Sequence, residues 1–134
     1  MLIARLSVDI ALVILIWLVQ IIIYPSFKYT DPKQFDFWHS RYMSLITYFV
    51  GPLMLLQVGI IGWQLFYAFH WTYLISATLI GLVWISTATI SIPCHSKLIN
   101  EGFEMVTIKQ LIFTNWYRTI LWSIVFIISL YSIF

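Results

Sequence analysis

Ile92-Pro93-Cys94-His95-Ser96-Lys97 closes one long apolar segment, and Thr114-Asn115-Trp116-Tyr117-Arg118-Thr119 stands just inside the next. A short polar connection joins them. Residues 92–122 therefore read as the joined ends of two membrane-crossing helices whose remaining surface is almost pure hydrocarbon. His95, Asn115 and Arg118 are expensive in such a place, because burying an unpartnered polar group in an apolar medium costs several kcal/mol. They are expected to face protein, water or a ligand.

The rest of the chain agrees with that reading. Its 134 residues are 62% hydrophobic and 9% charged, against roughly 25% charged in soluble proteins. The expectation is an all-α integral membrane protein with residues 1–134 as one four-span domain. Seven basic and five acidic residues give a formal charge of +2, and the basic residues are scattered, so nothing suggests a nucleic-acid partner. The single cysteine, Cys94, excludes an intramolecular disulfide. Arg5 ahead of an apolar run resembles the start of a signal peptide, but Asp9 interrupts the run and no small-residue cleavage site follows it, so the first span is expected to be retained.

Leu2 to Tyr24 is long enough to cross a hydrocarbon core, and Pro25 is expected to end it. Arg5 and Asp9, four residues apart, would pair at the interface, where long side chains snorkel. Gln20 reads as interhelical glue. Ser26 to Thr30 would be a connection, followed by a helix start at Asp31-Pro32-Lys33-Gln34, with Asp31 as N-cap and Pro32 in the first turn. Phe35, Trp38, His39 and Tyr42 recur at helical spacing, an aromatic face that would lie in the headgroup zone or cover the bundle mouth. Met43 to Phe69 forms the second span. Gly51-Pro52 predicts a kink in it, and Gln57 and Gln64 share a packing face.

His70-Trp71-Thr72 turns the chain at the other end. The third span covers about Tyr73 to Pro93, with Thr87, Ser91 and His95 on one side and Gly102 as the stop beyond it. Thr107-Ile108-Lys109-Gln110 has the pattern of a capping box and is expected to open the fourth span, which runs to Phe134. Asn115, Arg118 and Trp122 then share a face.

Short connections require an up-and-down four-helix transmembrane bundle. Lys28, Lys33, Arg41, Lys97, Lys109 and Arg118 gather at one end, and only Arg5 at the other. The positive-inside rule makes that end cytoplasmic, with both termini outside a cell (inner) membrane.

At this end the second helix contributes Asp36, His39 and Arg41, the third Cys94, His95 and Lys97, and the fourth Asn115 and Arg118. His95, His39, Arg118 and Asn115 are the candidate catalytic residues, with histidine as acid or base and the other two stabilising charge on an oxygen. A second possibility makes His39 and His95 the axial ligands of a haem. Cys94 and His95 point about 100° apart on a helix and no further ligand pattern accompanies them, so no metal site is expected. Arg118 should find a carboxylate, carbonyls, a phosphate or a bound anion, with Asp36, Glu101 and Glu104 as the candidate protein partners. Hydrolase and nucleotide motifs are absent. The composition leaves open an enzyme acting on a hydrophobic small molecule, probed from the lipid side, or a non-enzymatic accessory, lipid-binding or small-solute-conducting bundle, alone or self-associated. No cofactor is indicated.

Pro93-x-His95-x-x-Leu98, followed by Leu111-x-x-x-Asn115-Trp116-x-Arg118-Thr119, resembles the second half of the small four-span membrane proteins grouped with anthrone oxygenases. Tyr24-Pro25-Ser26-Phe27 is similar to a Tyr-Pro-x-Phe segment that follows the first span in bacterial four-span proteins. The resemblance implies a four-helix membrane fold and, for a minority of members, an oxygenase acting on polycyclic aromatic anthrones. His95, Asn115 and Arg118 fall on the matched motif. His39 lies outside it.

Overall fold

A computed structural model describes residues 1–133 as four helices, each long and apolar enough to cross a membrane: α1 (Leu2–Tyr29), α2 (Pro32–Tyr67), α3 (Trp71–Glu101) and α4 (Met105–Tyr131). The described residues contain no strand. α1 packs against α2 and α4, and α3 against the same two, so the helices stand at the corners of a square in chain order. This is the up-and-down bundle that the short connections demand. The end of the fourth span at Phe134 lies outside the described residues.

The bundle is apolar outside and polar within. Ile14, Tyr48, Phe66, Phe113 and Ile127 face outward, while Arg5, Asp9, Gln20, His39, Asn115 and Arg118 are buried. Hydrocarbon chains solvate Leu or Ile as well as a protein core does, so apolar burial does not draw helices together in a bilayer; close packing and interhelical hydrogen bonds do.

Pro25 does not end α1. A π-helical turn, Val19–Ile23, precedes it and the helix continues to Tyr29. α3 repeats the device with a π-helical turn at Thr87–Ser91 ahead of Pro93. Proline removes an amide donor and crowds the carbonyl four residues back, which is Ile21 or Thr89, inside the wide turn in each case. The extra residue also shifts the helix face by about 100°, a rotation that sequence periodicity does not announce. α2 runs as one helix through Gly51-Pro52.

The helix boundaries have local causes. Asp31 Oδ1 accepts the Lys33 amide at 2.9 Å, so the N-cap of α2 is as expected. α4 begins at Met105 instead of Thr107: Glu104 is its N-cap, and Thr107 donates its hydroxyl back to the Glu104 carboxylate. Lys97 of α3 fixes Glu104 in turn at 2.7 Å. That ammonium, with the Thr107 hydroxyl, holds the Glu104 carboxyl below the usual carboxylate range.

Gly102 ends α3 at φ 78°, and a Cβ there would meet Asp36 Oδ1 of α2 at 3.0 Å. Gly102→Ala combines a left-handed backbone with that close approach. It is expected to cost about 1–2 kcal/mol, which unfolding of the purified protein in mixed micelles would measure.

Arg5 and Asp9 do pair, at 3.5 Å, but they do not snorkel: they are 3% and 2% exposed. Gln57 Nε2 donates to Asp9 Oδ1 at 2.6 Å, Trp122 Nε1 donates to Gln57 Oε1 at 3.1 Å, and Arg5 reaches Ser76 Oγ at 2.5 Å. One ion pair thus ties all four helices together far from the basic end.

Candidate functional site

At the end of the bundle that carries the Thr30-Asp31 and Gly102–Glu104 connections, a second polar chain crosses the interior. It starts on α2. His39 Nε2 lies 2.9 Å from His95 Nδ1 on α3, and His95 Nε2 lies 3.0 Å from the Tyr24 hydroxyl on α1. Arg118 of α4 donates to the Tyr24 oxygen at 3.2 Å and to Asn115 Oδ1 one turn away. Asn115 Nδ2 donates to Gln20 Oε1 at 2.8 Å, and Gln20 Nε2 ends the chain on the Ile112 carbonyl at 3.1 Å. Each helix supplies at least one member, and every member is buried.

The sequence-predicted residues His39, His95, Asn115 and Arg118 therefore come together. Asp36, Arg41 and Lys97 do not; their side chains are exposed, and Lys97 spends its charge on Glu104 and Glu101. Cys94 is buried in the apolar cluster that includes Tyr24 and makes no hydrogen bond to the chain of polar groups. The aromatic face of α2 divides. Phe35, His39 and Tyr42 turn inward, with Phe35 stacked on His39, while Trp38 stays outside.

Sequence reasoning missed Tyr24 and undervalued Gln20. Both lie on α1, one turn apart, and Gln20 is also the glue it was expected to be, since it binds α1 to α4. No local signal marked Tyr24 as inward, because the π-helical turn at Val19–Ile23 resets the helix face between the two residues.

Arg118 has none of its expected carboxylate partners. Among the described residues the ion pairs are Arg5 with Asp9 and Lys97 with Glu101 and Glu104. Asp36 lies exposed near Gly102. Arg118, 7% exposed, is satisfied only by the neutral oxygens of Asn115 and Tyr24, and its Nε has no partner. The two buried arginines thus differ sharply: Arg5 is neutralised, and Arg118 is not.

Arg118 faces a cavity of about 330 Å³, a size that falls within the range of small-molecule sites. Tyr24, Tyr42, His95 and Arg118 form its polar end, and the walls are mostly hydrocarbon: Leu12 and Ile16 of α1, Ile46, Val50 and Met54 of α2, Trp84 of α3 and Trp122 of α4. The Thr87, Ser91, His95 stripe of α3 lines it as expected, although Thr87 has turned its hydroxyl to the Val83 carbonyl. Thr47, Trp84 and Ile92 line the cavity yet are exposed, Ile92 by 54%, so it opens between α2 and α3 onto the outer, lipid-facing surface.

The bis-histidine haem expectation does not fit this geometry. Axial ligands bind iron from opposite faces of the porphyrin, whereas His39 and His95 bond each other and stack with ring centroids 5.2 Å apart. Both nitrogens of His95 are already occupied, by His39 and by Tyr24.

What the arrangement can do chemically is narrow. It offers an apolar molecule one cationic donor, two phenols and one imidazole, all at a single end of a mostly apolar cavity. Comparisons with protein-family models, with curated proteins and with solved structures give no match for this chain.

Proposed function

We propose that this protein is a membrane enzyme of oxidoreductase type that admits a hydrophobic, oxygen-bearing molecule from the bilayer and carries it through an enolate or phenolate at the Arg118 end of the cavity. The observation that carries this reading is the unneutralised guanidinium. A buried cation without an anion is costly, and a ligand oxygen that gains negative charge beside it would remove that cost at the moment the charge develops. Tyr24 and His95 are placed to handle the proton, Asn115 orients Arg118, and the apolar walls keep water out.

The resemblance to anthrone oxygenases supplies the reaction class. In it the CH2 carbon of an anthrone loses a proton to give the enolate, which dioxygen oxidises to the second carbonyl. One oxygen atom stays on carbon and the other leaves as water with the two hydrogens. The basic end, which bears Lys28, Lys33, Arg41, Lys97 and Lys109, would be cytoplasmic, with both termini outside the inner membrane.

A second reading draws on the opening between α2 and α3. The same cavity would hold a fatty-acid carboxylate on Arg118 without chemistry, which makes the protein a lipid binder.

Anthrone oxidation to anthraquinone, followed by absorbance with the protein in lipid nanodiscs, separates these readings. The wild type is expected to exceed empty discs. Gly51→Leu should lower turnover at least tenfold with the helical circular dichroism unchanged, because Gly51 lines the cavity and nothing lies within 4 Å of a Cβ built there. No turnover, together with a stoichiometric fatty acid found by mass spectrometry and displaced in Gly51→Leu, would establish the binder instead.

A further inference from the structure

His39 belongs to the polar chain but not to the cavity. It is fully buried behind His95, and only His95, Tyr24 and Arg118 of the chain line the cavity. A site that needed a single base would have no use for a second imidazole bonded to the first. The directions of the hydrogen bonds explain what it does.

Arg118 has donors and no acceptor, so its bond to Tyr24 fixes the phenol oxygen as acceptor there. The Tyr24 proton then goes to His95 Nε2. A neutral imidazole with an accepting Nε2 carries its proton on Nδ1, so His95 donates to His39 Nε2. His39 in turn carries its proton on Nδ1, the one buried nitrogen of the pair that has no partner. His39 Nδ1 is without a partner in either polarity, but the opposite one adds a buried fault, a phenol proton aimed at nothing, and leaving such a group unmet costs about 1–3 kcal/mol. One arrangement is therefore favoured. All three links point from the cavity toward α2.

We propose that Tyr24, His95 and His39 form a proton relay, polarised at rest by Arg118, which removes the substrate proton from the cavity toward the connection end of the bundle; this rests on the enolate reading above. The step balances without any redox change. The substrate C–H proton forms a bond to the Tyr24 oxygen as the Tyr24 proton passes to His95 Nε2, the His95 Nδ1 proton passes to His39 Nε2, and the His39 Nδ1 proton, which has no acceptor at rest, leaves to the Asp36 carboxylate one turn earlier on α2 once a side-chain rotation brings the two into reach. The electron pair of the broken C–H bond remains on the substrate as the enolate, beside Arg118. Both rings end neutral with their protons exchanged between nitrogens, and return of a proton along the same path resets them. The anion is thus left where a cation awaits it, while its proton moves away from the cavity toward α2. His39 is a positioning and relay residue that acts through His95 and never touches substrate.

The test uses the full chain in nanodiscs with histidine labelled by nitrogen-15, and no ligand. Both His39 and His95 should appear neutral with the proton on Nδ1, the minority form of free histidine in water. Tyr24→Phe should remove that bias from both rings at once. A proton on Nε2 of His39 in the wild type would overturn the relay, whatever the fate of the enzyme reading. The kinetic arm compares His39→Gln with His39→Phe. Gln keeps an acceptor for the His95 Nδ1 proton, so His95 should retain its tautomer, yet it cannot pass a proton on. In both variants kcat for anthrone should fall about 10²-fold with KM little changed. Wild-type kcat in His39→Gln would reduce His39 to a structural prop and end the proposal. If the wild type does not turn over anthrone at all, the enzyme reading fails and the tautomers alone decide the polarity.

Discussion

Arg118→Met is expected to lower kcat for anthrone oxidation by about 10²–10³-fold, the usual loss when a preorganised oxyanion donor is removed. The stability of the same variant should hold or rise. Arg118 sits in the bundle without a carboxylate partner, so its removal relieves a buried charge and strands only Asn115 Oδ1; Tyr24 keeps His95, and Asn115 Nδ2 keeps Gln20. Arg118→Lys should not restore activity. Both bonds leave one nitrogen, Nη2, and the lysine ammonium, a strongly hydrated point charge on a shorter stem, does not reach that position. Activity lost with stability kept is the signature of a group maintained for function at the expense of the fold. Anthrone kinetics and thermal unfolding on the same preparations measure both. A large drop in stability with unchanged kcat would make Arg118 a structural fastening and remove the basis of the proposed reaction.

The opposite signs are expected at the other end. Asp9→Ala should destabilise the bundle by about 3–5 kcal/mol, because it leaves Arg5 charged, buried and without an anion. It also leaves the Gln57 amide without its acceptor at 2.6 Å, and Gln57 is the link to Trp122. The double variant Arg5→Met, Asp9→Leu should recover most of that loss, since replacing a buried pair by apolar groups of similar size is often neutral or better. Unfolding by denaturant in mixed micelles reads the difference. Catalysis should follow stability here, as the Arg5 network shares only Trp122 with the cavity wall. If Asp9→Ala proved neutral, the pair would be reached by water and the interfacial reading of the two residues would return.

These two arginines also show how far the chain could be read unaided. Both stand in apolar segments, and a sequence pattern assigns Arg5 a nearby acid and Arg118 a choice of three. The assignment succeeds for Arg5 because Asp9 is one helical turn away, a distance that helix geometry fixes. It fails for Arg118 because Asp36, Glu101 and Glu104 belong to other elements. Asp36 lies exposed near Gly102, and Glu104 is taken by Lys97 as the cap of α4. Depth fails in the same way. An end-of-span position suggests snorkelling, but once Gln57 and Ser76 offer bonds from neighbouring helices, Arg5 is better satisfied inside.

The prolines carry a related lesson. Pro25 correctly marks a disturbed turn in α1, and the expectation that it stops the helix follows from propensities measured in regular α-helices. In a membrane an interrupted helix would leave amides and carbonyls unsatisfied against lipid, so the chain widens the preceding turn and continues. That continuation puts Tyr24 in the interior, where it joins His95.

The sequence by itself determined that four helices span a membrane, where they turn, and that His39, His95, Asn115 and Arg118 gather at one end, because the bilayer imposes span length and penalises stray polar groups whatever the neighbours are. Only the tertiary structure decided which of those groups meet, that Tyr24 and Gln20 complete them, that the histidines bond each other, and that Arg118 is left without an anion beside a lipid-facing cavity. Those outcomes depend on the rotation of each helix about its own axis. Rotation is set by packing and hydrogen bonds between helices far apart in the chain, and two π-helical turns alter it in ways no local periodicity records.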